Sequence, residues 1–337
     1  MRRLIPLLAI AIVSAAAIDQ AFTQPANGPA RPATATAPAT ATAPARKPFV
    51  PPAGYKADHD VVYATVGKRE LHVDIYHAEK PSAPRPLLVW IHGGGWIGGN
   101  RKAGPALGYV NRYVIASVEY RFSKEATFPA QIHDCKAAIR FLRANAAKYG
   151  IDPDRIAVWG SSAGGHLSAL LGASGDVKEL EGDLGDHAGT SSRVQAVIDF
   201  CGPTDFTKIA AQASEISNYK VAIDLCGLLI GGSANDAAKA GPANPIAYVT
   251  KDDPPFLIVH GDKDEVVPPD QSKLLLDALT AAGVESTLHV VKDGKHGFGG
   301  NDIQRLAINF LEKHFAKPAT QPATKPTTQP ATRPAGK

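Results

Sequence analysis

IAVWGSSAGGHLSALLGA, residues 156–173, is the stretch whose reading decides the fold. Its first four residues are apolar and fit a buried strand, and from Ala163 onward small and apolar residues fit a helix. Between them Gly160-Ser161-Ser162-Ala163-Gly164 matches G-x-S-x-G, a sharp turn that lifts a serine out at the end of a strand. The flanking glycines leave room where a Cβ would clash. The Ser162 hydroxyl then stands at the amino end of a helix, whose dipole favours negative charge. The five-residue pattern is common by chance; the strand before it and the helix after it give it meaning.

A serine hydroxyl is a weak nucleophile until a base takes its proton. Of eleven histidines, His296 stands out, because Gly294-Lys295-His296-Gly297-Phe298 follows the last apolar run on a glycine-flexed loop. His59, His72 and His77 fall in a hairpin, His133, His166 and His314 in helical runs, His187 in a polar loop, and His289 inside a strand. The base needs an acid that holds its tautomer. The run His260-Gly261-Asp262-Lys263-Asp264-Glu265 follows another apolar strand. We assign Asp264, with Asp262 as runner-up and Asp205, after the preceding strand, as a third candidate. The chain order Ser162, Asp264, His296 suits a strand-turn nucleophile of this kind.

A serine attacking a carbonyl creates an oxyanion, which donors already in place must meet. His92-Gly93-Gly94-Gly95-Trp96 follows the apolar run 87–91, and its bare backbone amides suit that task. The N–H groups of Gly94, Gly95 and Ala163 are assigned as the oxyanion donors. His92 is read as a brace for the loop. Trp96 is the candidate substrate-binding residue, with simple packing as its equal alternative. Gly98 and Gly99 receive no chemical assignment.

The rest of the chain sets these residues in a frame. Residues 59–66 and 71–77 alternate apolar and polar positions around Gly67, which suggests an antiparallel hairpin. Apolar runs at 87–91, 113–118, 156–159, 194–200 and 256–259, with a weaker one at 288–291, read as strands. Helical patterns cover 130–148, 163–173, 270–282 and 301–315. Strands alternating with helices predict an α/β fold: a mainly parallel sheet with helices on both faces and an antiparallel N-terminal hairpin. In such sheets ligands bind at the carboxyl ends of the strands, where each candidate residue falls.

The termini are of another kind. Residues 1–23 have a basic start, a short apolar run and small residues, the pattern of a secretory signal peptide. That run is shorter than the ~20 residues a bilayer span takes. Residues 24–53 are mostly Pro, Ala and Thr, a disordered linker, and 317–337 repeat PATQ-PATK-PTTQ-PATR as a disordered tail. The folded catalytic domain is expected over 54–316, exported to the periplasm or beyond. Nine basic residues and one acid, Asp19, lie outside it, which leaves 27 basic and 31 acidic residues inside. The formal +4 of the 337-residue chain therefore belongs to the arms. The core shows no basic excess of the kind that would draw nucleic acid. Cys135, Cys201 and Cys226 lack metal-ligand spacing. An oxidising compartment permits a Cys201–Cys226 bridge, which the sequence does not establish.

The set His92-Gly93-Gly94-Gly95-Trp96, Gly160-Ser161-Ser162-Ala163-Gly164-Gly165, His260-Gly261-Asp262-Lys263-Asp264 and His296-Gly297-Phe298 resembles the α/β-hydrolase esterases. Within these it looks most like the bacterial feruloyl and acetylxylan esterase-like branch, near the hormone-sensitive lipase group. Asp253-Pro254-Pro255-Phe256 and Gly202-Pro203-Thr204-Asp205 are similar to that branch as well. The resemblance spans about 55–315 and implies a serine ester hydrolase acting without metal or organic cofactor on short-chain or plant-polysaccharide esters. A serine peptidase of the prolyl oligopeptidase type is the rival. Two departures accompany it. Residues 100–112, where a helix is usual, carry glycines and Pro105, and no long N-terminal helical cap is present, which leaves 206–248 as a small cover.

Overall fold

The computed structural model describes residues 49–102, 104–212 and 219–316. The expected leader, most of the linker and the C-terminal tail lie outside the described residues. Ordered contact begins a little ahead of the expected boundary, with Phe49 edge-on to Tyr76 at 5.7 Å between ring centroids.

Among the described residues one sheet has eight strands: β1 (Tyr55–Val66), β2 (Arg69–Ala78), β3 (Arg85–Ile91), β4 (Val114–Val118), β5 (Ile151–Ser161), β6 (Ala196–Phe200), β7 (Phe256–Gly261) and β8 (Ser286–Val291). Their order is β1-β2-β4-β3-β5-β6-β7-β8. β2 pairs antiparallel with β1 and β4, and every other pair is parallel. The hairpin turns at Gly67, whose φ of 61° favours glycine. β5 starts earlier than its apolar run, at Ile151. Its polar opening lies at the rim, where Arg155 pairs with Asp152 at 2.8 Å, so no apolar signal marks it.

Alternate strand residues face two separate cores. Val89, Val158, Val197 and Ile258 meet Ile132, Leu167, Leu170 and Leu275 from helices α1 (Ala130–Ala144), α2 (Ala163–Ala173) and, later in the chain, α5 (Asp270–Ala282). Trp90, Trp159, Ile198 and Leu257 meet Ile303, Ile308 and Leu311 of α6 (Asn301–Phe315) on the other face. Helices on both faces are thus as expected, and α2, α5 and α6 have the predicted limits. α1 stops short of the predicted 148. Asn145 Nδ2 donates to Phe141 O at 2.9 Å and competes for a helix carbonyl, so 146–149 forms a separate turn. Among the described residues of 100–112 the one helical element is a 3₁₀ turn, Pro105–Tyr109, which seats Ala106 and Leu107 in the second core.

Residues 206–212 and 219–248 meet the loops at the carboxyl ends of the strands. They contain α3 (Phe206–Gln212) and α4 (Tyr219–Ile230). Tyr219 donates its hydroxyl to Asp264 O at 2.8 Å, and Phe128 N donates to Leu229 O at 2.8 Å. These bonds tie the cover to two loops of the sheet. No helix among the described residues is long and apolar enough to cross a membrane.

Candidate active site

The turn after β5 is held by close packing. Ser162 has φ 56° and ψ −120°, a left-handed backbone that costs a side-chain-bearing residue about 1–3 kcal/mol. Its N–H donates to Phe200 O of β6 at 2.7 Å, and its carbonyl accepts from His166 N at 2.9 Å. A Cβ on Gly160 would sit 2.1 Å from Gly164 O, and one on Gly164 would sit 2.0 Å from Ile91 O. The motif glycines are therefore required by contacts with β3 and with each other, which a five-residue pattern cannot display.

Loops after β7 and β8 bring the other two residues to Ser162. His296 Nε2 lies 2.9 Å from Ser162 Oγ, and His296 Nδ1 lies 2.7 Å from Asp264 Oδ2. Asp264 Oδ1 accepts from Val266 N at 2.8 Å and Val267 N at 2.9 Å. Ser162, His296 and Asp264 are 6 %, 5 % and 2 % exposed, so their mutual bonds act in a weakly screened setting. Burial works against a charge on Asp264, but His296 and His260 outweigh it and hold the carboxyl far below its usual range. Burial likewise opposes a charged His296; the Asp264 carboxylate prevails and raises its proton affinity well above the ordinary histidine range. The arrangement can draw a proton from Ser162 and hold the resulting imidazolium.

The competing acids go elsewhere. Asp262 is exposed. Asp205 caps the cover: its Oδ1 accepts from Thr207 N, Thr207 Oγ1 and Asn244 Nδ2 at 3.0, 2.6 and 3.2 Å. Of the helical histidines, His133 meets Glu179 O at 3.2 Å, and buried His166 meets Ala243 O at 2.7 Å.

The glycine loop lies against the elbow. A Cβ on Gly93 would come 2.8 Å from Ser161 O and 3.4 Å from Ser162 Cβ. Gly94 and Gly95 have φ of 113° and 60°, and Leu225 of α4 roofs Gly95, 2.6 Å from where its Cβ would stand. Ala163 is the first residue of α2, so its N–H has no acceptor within the helix. His92 does brace the loop: Nδ1 donates to Gly93 O at 2.8 Å, and the ring stacks on Tyr120 at 4.5 Å. Burial lowers its pKa to about 4, which keeps it neutral. Gly99 gains a reason that its sequence neighbours do not reveal, since a Cβ there would stand 2.3 Å from both Gly93 O and His92 Nδ1.

Of the two readings of Trp96, the packing one has support: it is 2 % exposed, with its indole packed on His166 at 5.1 Å and Phe206 at 5.7 Å, and so supports the cover. Two residues near the relay escaped sequence reasoning. Cys201, just after β6 at φ 47°, has its Sγ 3.7 Å from His296 O and 4.0 Å from Ser161 Oγ. His260, at the end of β7, lies 3.1 Å from Asp264 Oδ2. Their place at strand ends was the available signal. Cys201 and Cys226 are free and buried, as is Cys135, so the permitted bridge does not form.

Cys201, Asp264 and His296 offer ligand atoms within 4.8 Å of one another, the one such cluster among the described residues. The carboxylate and ring are engaged with each other, and burial pushes the thiol pKa up, which favours SH over the thiolate a metal takes. The cluster is a hydrogen-bonded relay rather than a metal centre.

An antiparallel hairpin leading into a parallel sheet, with a strained serine after β5 and an acid and a histidine after β7 and β8, defines an α/β-hydrolase. Residues 73–279 match the BD-FAE family model, and the chain belongs to that family. It is 30 % identical over 233 residues to the probable carboxylic ester hydrolase LipM of Mycobacterium tuberculosis, covering 67 % of this chain and 52 % of LipM. Esterase LipC of the same organism is 32 % identical over 228 residues, 65 % of this chain and 55 % of LipC. The chain thus spans about half the length of the curated relatives it matches. Among solved structures, a truncated carbohydrate esterase from gut microbiota superposes with TM-score 0.69 at 33 % identity, covering 77 % of this chain and 96 % of that one. Butyrate-bound esterase Est2 of Thermogutta terrifontis has TM-score 0.61 at 26 % identity, over 77 % and 94 %.

Proposed function

We propose that this protein is an exported serine carboxylic ester hydrolase that works through an acyl-enzyme. The observation that carries the reading is the continuous bonding of Ser162 Oγ to His296 Nε2 and of His296 Nδ1 to Asp264, all buried at the ends of parallel strands. Ser162 attacks the ester carbonyl while His296 takes its proton. The tetrahedral oxyanion is met by the N–H groups of Gly94, Gly95 and Ala163. His296 then protonates the departing alkoxide, and water, deprotonated by the same ring, releases the acid. Asp264 orients His296 throughout.

Short-chain esters, and the acetyl or feruloyl esters of plant polysaccharide, are the proposed substrates. The likeness to a carbohydrate esterase supports this, as does the likeness to an acetyl ester-xyloside bifunctional hydrolase of Caldicellulosiruptor lactoaceticus. The basic first residues and the apolar run after them support export. Against the peptidase reading stands the triple-glycine loop, which supplies backbone donors.

The test is turnover of a short-chain aryl ester by the wild type and by Ser162→Ala, alongside an aminoacyl anilide. Hydrolysis of the ester alone, abolished in the variant, is expected. Full activity in Ser162→Ala would sink the assignment, and preference for the anilide would transfer it to the peptidases.

A further inference from the structure

Asp264 Oδ2 is approached by two imidazoles. His296 Nδ1 stands 2.7 Å away and His260 Nε2 stands 3.1 Å away. His260 Nε2 also lies 3.1 Å from Val267 O. One ring nitrogen facing two acceptors carries the hydrogen. The carbonyl accepts that N–H, and the carboxylate oxygen stands at the same distance from it. On the far side of the ring, Nδ1 lies 2.6 Å from Ser272 Oγ of α5, so in the neutral ring Nδ1 accepts from the hydroxyl. His260 is 1 % exposed and Ser272 is fully buried.

A carboxylate has about four lone-pair sites. Val266 N and Val267 N take those of Oδ1, His296 takes one of Oδ2, and His260 Nε2 faces Oδ2 at 3.1 Å. We propose that His260 is a positioning residue for Asp264: as the Nε2–H tautomer, set by the Val267 carbonyl and braced from the other side by Ser272, it pins Oδ2 and draws off part of its charge, and so sets the aim and basicity of His296. The inference rests on the proposed roles of Ser162, Asp264 and His296. It extends their relay to Ser272, joining the loops after β5, β7 and β8 to the start of α5.

The titratable groups around this chain come from several elements, and Asp262, Asp270 and Lys273 line one cavity with His260 and Tyr219. Cys201, from the end of β6, stands with Asp264 beside His296. Asp199 of β6, whose carboxyl burial pushes up to about 6, also interacts electrostatically with His260. The Tyr219 hydroxyl binds the Asp264 carbonyl from the cover.

The experiment is the pH profile of kcat/KM on a short aryl ester for wild type, His260→Leu, His260→Gln and Ser272→Ala, each checked by thermal melting. Removing the Nε2–H donor concentrates charge on Asp264 and stabilises the His296 imidazolium. The acid limb of His260→Leu therefore moves to higher pH by about half a unit or more. Gln, which presents an amide N–H near the same place, restores it. Ser272→Ala weakens the donor and moves the limb the same way by less. Where His260→Leu melts too low to assay, Ser272→Ala and His260→Gln carry the test. A role in packing alone would change melting and rate but leave the limb in place, and an unmoved or downward-shifted limb overturns the proposal. Activity retained in Ser162→Ala would overturn the esterase reading itself, and that outcome is read independently of the His260 profiles.

Discussion

Replacing Asp264 by Asn changes one atom in the relay, and the structure says where the change falls. Val266 N and Val267 N donate to Oδ1 at 2.8 and 2.9 Å, so the amide oxygen of Asn must occupy that side. The amide NH₂ then stands at the Oδ2 position, 2.7 Å from His296 Nδ1. Two donors cannot share that distance, so His296 gives up its Nδ1 hydrogen and becomes the Nε2–H tautomer. Its Nε2 faces Ser162 Oγ at 2.9 Å and, once protonated, cannot accept the serine proton. The wrong tautomer in a serine relay costs about 10⁴ in kcat. That corresponds to about 5 kcal/mol of barrier. The assay is steady-state turnover of a short aryl ester, with melting temperature as a check on folding. Asp262→Asn, on an exposed neighbour, is the control and should stay within about twofold of wild type. An Asp264→Asn enzyme within tenfold of wild type would refute the reasoning, as would an equal loss in the control.

The same geometry leads to further expectations. His296 must be neutral to accept a proton, and its folded pKa lies above the ordinary 6.5, so kcat/KM should rise with pH through an inflection above 6.5. The His296–Asp264 attraction stabilises the fold below the unfolded histidine pKa and is lost as pH rises through the folded one, so melting temperature should fall across that interval in wild type and not in His296→Gln. Gly164→Ala places a Cβ 2.0 Å from the Ile91 carbonyl, backbone that cannot give way, and should lower stability by at least about 1–3 kcal/mol in denaturant melts and abolish turnover. All three thiols are free and buried, so a thiol reagent should label the native protein slowly and all three after denaturation, and reductant should leave the melting temperature unchanged.

Much of this protein is legible without coordinates, because its signals are local. The apolar runs of β3, β6 and β7 are continuous where both faces of a parallel strand are covered. Gly160-Ser161-Ser162-Ala163-Gly164 states its own turn, and the loops carrying Asp264 and His296 announce themselves by their place directly after an apolar strand. Where local signals failed, a partner distant in sequence made the decision. β5 begins ahead of its apolar run because Arg85 of β3 pairs with Ile151, and a register shift carries the polar residues 152–155 between that pair and Leu87–Ile156. The end of α1 is the exception, decided locally: Asn145 reaches a carbonyl of its own helix, a choice among near-equal bonds that periodicity does not record.

Within the site, residue types and strand ends were determined by the sequence alone. Which acid faces His296 was decided by the β7 turn, which buries Asp264 and leaves Asp262 in solvent. Trp96 was decided by the cover: an indole beside a glycine loop suits a pocket wall or a packing core equally until Phe206 and His166 arrive from elsewhere in the chain. His260 and Ser272 received no role from the sequence; the turn after β7 brings the second imidazole to the carboxylate, and the packing of α5 on β7 sets Ser272 against its other nitrogen. Sequence specifies the groups and the local turns that present them, whereas burial and hydrogen-bond partnership belong to pairs of residues and exist once the sheet has closed.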